Sequence, residues 1–149
     1  MSFREKMAWA CLLSTVAVYL PYFTYVFWLA VWGELTIGLA LSAFVGAVVT
    51  QVAIQIGFGV GIAIWTKQEP KDERDRAIDN RAVRIAYYVL VTSCFVAIPH
   101  FYGLVLIVNP REIVTVFTVP IFCQLLLFCF VIAEVTRFTV QAISYRKGV

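Results

Sequence analysis

The chain has 149 residues, of which 62% are hydrophobic and 14% are charged, and its 12 basic and 9 acidic residues give a formal net charge of +3. An average soluble domain contains about 45–50% apolar and about 25% charged residues. A protein of this size has too little interior to bury so many apolar side chains. The composition therefore excludes an ordinary soluble domain and predicts an integral membrane protein.

The charged residues occur in clusters, and four long uncharged runs lie between them. Each run meets the requirement of about 20 apolar residues for a helix that crosses a hydrocarbon core of about 30 Å. Because lipid offers the backbone no hydrogen-bond partners, runs of this length are expected to be helices. We therefore predict one all-α transmembrane domain, residues 1–149, built as a four-helix bundle. Its spans are approximately residues 8–32, 36–65, 84–108 and 113–136.

Aromatic side chains of the first span have two expected roles. Trp28 and Trp32 are placed at the outer membrane boundary, where tryptophan commonly anchors a helix. Tyr19, Tyr22 and Tyr25 recur every three residues and therefore share one stripe of the helix. Their hydroxyl groups need hydrogen-bond partners in lipid.

Glycines crowd the second span, and Gly57 and Gly61 make a GxxxG spacing. Small residues four positions apart allow two helices to approach closely in a membrane. The motif predicts helix packing, either within the bundle or between two copies of the chain. The spacing leaves both alternatives open.

Prolines lie inside three spans, at Pro21, Pro99 and Pro120. Each removes a helical hydrogen bond and favours a kink. Three kinks at similar depth could open a cavity in the outer half of the bundle. Proline is also commoner in membrane helices than in soluble ones, so kinks without a functional cavity are the alternative.

A few polar side chains fall inside the spans and form a candidate midplane site. Gln51 and Gln55 share one face of the second span, while His100 and Gln124 lie in the third and fourth spans, at depths from which they could meet Tyr22. Polar groups in hydrocarbon are costly and often mark a functional site. They could instead be interhelical hydrogen bonds of about 0.6 kcal/mol each. A solute site and a proton relay through His100 are the two functional alternatives.

The sequence predicts no catalytic residue, cofactor or metal site. The four cysteines, Cys11, Cys94, Cys123 and Cys129, all lie within spans, and none forms a CxxC motif or pairs with a second histidine. This pattern is unlike that of zinc sites. No phosphate-binding glycine loop or nucleophile motif is present either.

The charged segment 66–83, between the second and third spans, alternates in sign. Acids at its start and i,i+4 pairs favour a helix that continues into the third span. The segment could be a solvated extension that sets topology, or it could dock a cytoplasmic protein or a second copy. Its basic residues also suit anionic lipid headgroups. The candidate docking residues are Asp72, Glu73, Arg74, Asp75, Arg76, Asp79 and Arg81.

The distribution of basic residues predicts the orientation. All Lys and Arg residues except Arg111 flank the spans on one side. Under the positive-inside rule, that side is the cytoplasm. Both termini and segment 66–83 are therefore expected to be cytoplasmic.

The charged segment also resembles a family of small uncharacterised prokaryotic four-span membrane proteins, the DUF2178-like group, which carries a DER-type segment between its second and third spans. The resemblance implies a bacterial inner membrane location and a role without known chemistry, sometimes beside genes for DNA-binding regulators. It assigns no catalytic residue. The residues that carry it are Asp72-Glu73-Arg74-Asp75, Ile78-Asp79, Arg81 and Tyr87-Tyr88.

The leading functional prediction is a non-enzymatic inner-membrane protein that acts as an interaction or regulatory module through its charged segment. The main alternative is an oligomeric channel or transporter subunit that uses the midplane site, and an intramembrane enzyme comes third. The expected partners are membrane lipids, further copies of the chain and a cytoplasmic protein. Direct binding of nucleic acid is not expected.

Overall fold

The structure is a computed structural model that describes residues 3–32, 35–65, 72–108 and 118–147. Four helices account for nearly all of these residues, which confirms the all-α prediction. Each helix is long and apolar enough to cross a membrane, and this indicates a multi-pass membrane protein. The helices are α1 (Phe3–Val31), α2 (Ile37–Trp65), α3 (Glu73–Val108) and α4 (Thr118–Lys147). The predicted span residues 113–117 and Arg111 lie outside the described residues.

The described part of the charged segment is a helix, as its alternating charges predicted. Asp72 precedes α3, and its Oδ1 accepts a hydrogen bond of 2.7 Å from the Glu73 amide. In return, Oδ2 of Asp75 accepts one of 3.2 Å from the Asp72 amide. At the start of α2, Thr36 Oγ1 accepts a 3.2 Å hydrogen bond from the Leu39 amide. Such caps satisfy amides that have no partner within the helix.

The helices pack in the spatial order α2, α1, α4, α3. α1 contacts both α2 and α4, and α4 also contacts α3. No comparable contact joins α2 to α3 among the described residues. The bundle is therefore open along one side, with α1 and α4 as its two central helices.

An apolar core lies where α1 meets α2 and α4. Tyr22, Phe23 and Val26 of α1 are buried there with Ala40 of α2. The Phe23 ring packs edge-on against Phe128 of α4 at a centroid distance of 5.0 Å. Since lipid chains are as apolar as these side chains, close van der Waals packing holds such helices together in a membrane.

Many large apolar side chains are exposed, including Val31 at 83%, Ile64 at 76% and Phe95 at 75%. In water, apolar patches of this extent mark interaction surfaces or cause aggregation. In lipid they have no such cost, because hydrocarbon solvates them. This exposure agrees with the spans predicted from composition.

Gly57 and Gly61 of α2 do not pack inside the described bundle. A Cβ atom built on either glycine meets no described atom within 4 Å, whereas one built on Gly59 lies 3.4 Å from the Met7 side chain. The described residues therefore give no contact that supports packing of this pair within one chain. Self-association through the GxxxG face stays a prediction.

The double substitution Gly57→Leu with Gly61→Leu tests that prediction. Because both positions have open space, we expect the unfolding temperature of the single chain to be unchanged or raised. Self-association, measured by energy transfer between labelled copies in vesicles, should fall several-fold. Gly38→Leu is the matched control, since its position is also open. Unchanged energy transfer in the double variant would show that lipid covers this face.

Candidate functional site

Gln51 forms a polar contact between α2 and α1. Its Nε2 donates hydrogen bonds to Thr15 Oγ1 at 3.0 Å and to Ser14 Oγ at 3.4 Å. Both hydroxyls donate in turn to the Cys11 carbonyl, at 2.7 Å from Thr15 and 3.0 Å from Ser14. The amide oxygen of Gln51 is buried without a hydrogen-bond partner among the described residues. The contact connects the two helices but leaves one acceptor unsatisfied.

Tyr22 and Gln124 form a second polar contact, between α1 and α4. The Tyr22 hydroxyl donates a hydrogen bond to Oε1 of Gln124. Both side chains are buried. The Tyr22 ring is held edge-on against Phe23, with centroids 5.0 Å apart. The bond gives the buried phenol the partner that it needs in lipid.

The structure does not assemble the predicted midplane residues into one site. Seven residues, about 10 Å of helix, separate Thr15 from Tyr22 on α1, so the two glutamine contacts lie at different depths. Gln55 is half-buried on α2. His100 is exposed on α3, with its Nδ1 2.8 Å from the Val96 carbonyl of the same helix. Sequence depth alone could not predict this separation, because it contains no information on helix order.

An apolar cleft of about 340 Å³ separates α2 from α4 at the end of the bundle where both helices begin. We call it the α2–α4 cleft. A cavity in this half of the bundle was one expectation from the prolines, and Pro120 does line it. Pro21 and Pro99 lie inside α1 and α3 and are absent from its lining. Its lining includes Ala40, Leu41 and Phe44 of α2 and Pro120, Cys123 and Gln124 of α4.

The opposite end of the bundle, which we call the charged end, brings together the first turns of α1 and α3 and the last turns of α4. Arg4 Nε lies 2.8 Å from Asp75 Oδ2 in an ion pair between α1 and α3. Gln141 Nε2 of α4 donates a 3.1 Å hydrogen bond to Asp79 Oδ1. Tyr145 lines the same small cavity as Arg4 and Asp79. Two of the candidate docking residues, Asp75 and Asp79, are therefore engaged inside the chain.

Apolar packing supports these polar contacts. Ile78 and Ala82 of α3 are buried, and so are Phe138 and Ala142 of α4 and Ala8 of α1. The burial of Ala82 and Ala142, both at 0% exposure, shows how closely the helices approach. The first turns of α3 are thus fixed to the bundle rather than extended alone into solvent.

The other face of the same turns is exposed and mainly basic. Arg74, Arg81 and Arg84 follow at i, i+7 and i+10, so they form one stripe along α3, which we call the basic stripe. Arg76, also exposed, lies outside this stripe. The exposed acids at the start of the segment are Asp72 and Glu73.

Glu134 and Arg137 form a further ion pair, on α4 above the charged end. Arg137 Nη2 lies 3.2 Å from Glu134 Oε2, and the guanidinium carbon is 4.6 Å from the centre of the Phe138 ring. The Nε atom of Arg137 is buried without a hydrogen-bond partner in the described part of the chain. This pair stays close to the polar end, as its position after the last apolar run indicates.

Metal or thiol chemistry gains no support from the described residues. No group of three or more His, Cys, Asp or Glu side chains among them could hold a metal ion. All four cysteines are free thiols. Cys129 is buried, and Cys123 is exposed in the α2–α4 cleft.

Several residues of these contacts were missing from the sequence prediction. Ser14 and Thr15 form the acceptor for Gln51, and Gln141 and Arg4 hold the acids of α3 in place. Ser14 and Thr15 were the one available signal, since two adjacent hydroxyls inside an apolar run need partners. Their helical carbonyl bonds are a common solution that makes such residues look unimportant in a sequence.

Comparison with known proteins assigns neither a family nor a function to this chain. No family model, curated protein or solved structure matches the chain. The resemblance to the DUF2178-like group therefore stays a prediction. The polar contacts, the cleft and the charged end are therefore the basis for a functional proposal.

A double-mutant cycle tests whether Gln51 binds α2 to α1. The cycle combines Gln51→Leu with Thr15→Val, and we expect a coupling free energy of about 0.6 kcal/mol, typical of hydrogen bonds between membrane helices. The measurement is an unfolding titration in mixed detergent micelles. Thr24→Val replaces Thr15→Val in the control cycle, since Thr24 bonds to Leu20 of its own helix. Equal coupling in both cycles would contradict a specific Gln51–Thr15 bond.

Removing the Arg4 side chain tests whether the charged end is fixed by its ion pair. The side chains of Arg4 and Asp75 are 23% and 18% exposed, and such partly exposed pairs contribute up to about 1 kcal/mol. Arg4→Ala should therefore increase amide hydrogen exchange over residues 73–79 by about two- to five-fold. Arg74→Ala removes an exposed arginine of α3 and should leave exchange there unchanged. Equal effects of the two substitutions would show that the pair does not hold these turns.

Proposed function

We propose that this chain is a non-enzymatic, multi-pass protein of the bacterial inner membrane that docks an acidic protein partner through its basic stripe. In this proposal the charged end faces the cytoplasm, as the positive-inside rule predicts. The observation that carries the proposal is the division of charges on α3. Asp75 and Asp79 are engaged within the chain, while Arg74, Arg81 and Arg84 are exposed together.

This division changes the character of the segment. In the sequence its acids and bases alternate and nearly cancel. In the folded chain Asp75 and Asp79 lie on the inner face of α3 and no longer neutralise its outer face at close range. The positive field of the basic stripe is therefore stronger than the alternating sequence indicates. Complementary charge steers a partner during encounter and fixes its register on the surface.

The rigidity of the stripe also supports docking. Ile78 and Ala82 anchor the inner face of the same turns, and the 2.8 Å Arg4–Asp75 pair holds their first turn. A surface that is already ordered loses less conformational entropy when a partner binds. A solvated helix that only set topology would not need contacts with both α1 and α4 at its base.

The position of the stripe favours a protein partner over headgroups alone. Arg84 lies where the third span was predicted to begin, so anionic headgroups are within its reach. Arg74 precedes it by ten residues, about 15 Å along the helix. The field of a lipid surface is screened over about 8 Å at physiological ionic strength. The far part of the stripe is therefore left for a cytoplasmic partner.

The transport alternative receives less support from the geometry. A solute path needs polar side chains that share a continuous cavity. Gln51 is engaged between α1 and α2, and His100 lies apart on α3. The α2–α4 cleft contains Gln124, but its other described lining residues are apolar except for the Cys123 thiol.

Charge reversal in the basic stripe tests the proposal. Arg74→Glu with Arg81→Glu places acids on the docking surface while the inward contacts of α3 remain. We expect at least a ten-fold loss of the partner that is cross-linked in native membranes and co-purified with the chain. Fluorescently labelled decaglutamate should show the same loss when it is titrated onto the protein in phosphatidylcholine nanodiscs.

The matched control is Lys6→Glu with Arg146→Glu. It changes the net charge equally at the same end, at two exposed positions outside the stripe. Binding should be retained in this variant apart from a small general electrostatic effect. Equal losses in the two variants, or no loss in either, would contradict docking through the stripe.

A further inference from the structure

Gln124 gives the α2–α4 cleft one directed polar group. Its side chain is only 5% exposed, and its Oε1 is occupied by the Tyr22 hydroxyl. The described contacts give its amide nitrogen no acceptor, and the residue lines the cleft. In a hydrocarbon environment an N–H group without an acceptor is costly to leave unpaired. The cleft therefore favours an occupant that brings a hydrogen-bond acceptor to this position.

We propose that the α2–α4 cleft binds an apolar carbonyl compound, a molecule with a hydrocarbon body and a carbonyl oxygen that accepts a hydrogen bond from Gln124 Nε2. The site is separate from the charged end and does not depend on docking there. Tyr22 has a positioning role, because its hydroxyl holds the amide oxygen and leaves the nitrogen as the donor for an occupant of the cleft.

The walls of the cleft fit such a body. Ala40 and Leu41 of α2 face Pro120 and Cys123 of α4, and none of the described lining residues is charged. The volume of about 340 Å³ lies within the usual range for small-molecule sites, which are mostly apolar with a few placed polar groups. Leu41 is 59% exposed, so the mouth of the cleft reaches the surface of the bundle. An apolar molecule can therefore enter sideways from hydrocarbon.

The depth of Gln124 distinguishes this occupant from an ordinary phospholipid. Tyr22, its bonding partner, lies six residues from Trp28 and ten from Trp32, about 9 to 15 Å along α1. The two tryptophans are exposed side chains of the kind that lie at the membrane boundary. Phospholipid ester groups also lie at that boundary, so their carbonyls do not reach Gln124. The occupant has to be a compound that dissolves in the membrane interior.

Photolabelling with benzophenone, an apolar ketone that inserts into nearby C–H bonds under ultraviolet light, tests the proposal directly. The full chain is reconstituted in phosphatidylcholine vesicles, and labelled peptides are mapped by mass spectrometry. We expect the label to be concentrated in residues 37–44 and 120–127. Excess 2-undecanone should suppress it several-fold more than undecane at equal membrane concentration.

Gln124→Leu should remove the difference between the two competitors, because it removes the donor that recognises the carbonyl. Gln55→Leu is the matched control, since it makes the same change on α2 outside the lining of the cleft, and it should keep the difference. Cys123→Phe places a bulky ring at the wall of the cleft while the Tyr22–Gln124 bond remains, so it should strongly reduce the local label. This variant also decides the question if Gln124→Leu does not fold.

Three results would overturn the proposal. Equal competition by ketone and alkane in the unaltered chain would mean that only an apolar groove is present. A ketone preference that persists in Gln124→Leu would remove the role of the amide. A label that is spread over all four helices, or that survives Cys123→Phe, would place the probe elsewhere.

Discussion

Hydrocarbon offers a polar side chain no partner, so each polar group in these helices depends on another part of the protein. That constraint determines how α1 is used. Thr15 accepts from Gln51 of α2, and Tyr22 donates to Gln124 of α4, so both neighbours are bonded to one central helix. Apolar packing around Val26 holds the helices in contact but has little directional preference. The two glutamine contacts set the register of the neighbouring helices on α1.

At the charged end the situation is the opposite, because water can solvate every charged side chain and so competes with contacts inside the protein. Groups held against the bundle form lasting contacts there, and on the described part of α3 the acids Asp75 and Asp79 of the inner face do so. The outer arginines have no need of internal partners. A segment that alternates in sign along the sequence thereby acquires one internally bonded face and one mainly basic face. The helical period of 3.6 residues is sufficient to cause this separation.

Hydropathy and charge were sufficient to predict four helices and the helical start of the charged segment, since both depend on local composition and capping at Asp72. The partners of Gln51 and Gln124 could not be predicted, because they depend on which helices are neighbours. Apolar helices of similar length have nearly the same hydropathy. Hydropathy therefore could not predict the spatial order α2, α1, α4, α3. The same uncertainty explains His100, which shares a plausible depth with the glutamines but is exposed on α3 and bonds to its own helix.

Because the bundle is open along one side, its two ends share α1 and α4 but differ in the third helix that joins them. The α2–α4 cleft is built on α1, α2 and α4, whereas the charged end is built on α1, α3 and α4. The two sites share the contact between α1 and α4, where Phe23 meets Phe128. A change in that contact would disturb both sites. Because α1 and α4 take part in both sites, a shift of α4 against α1 is the movement that would couple an occupied cleft to a docked partner.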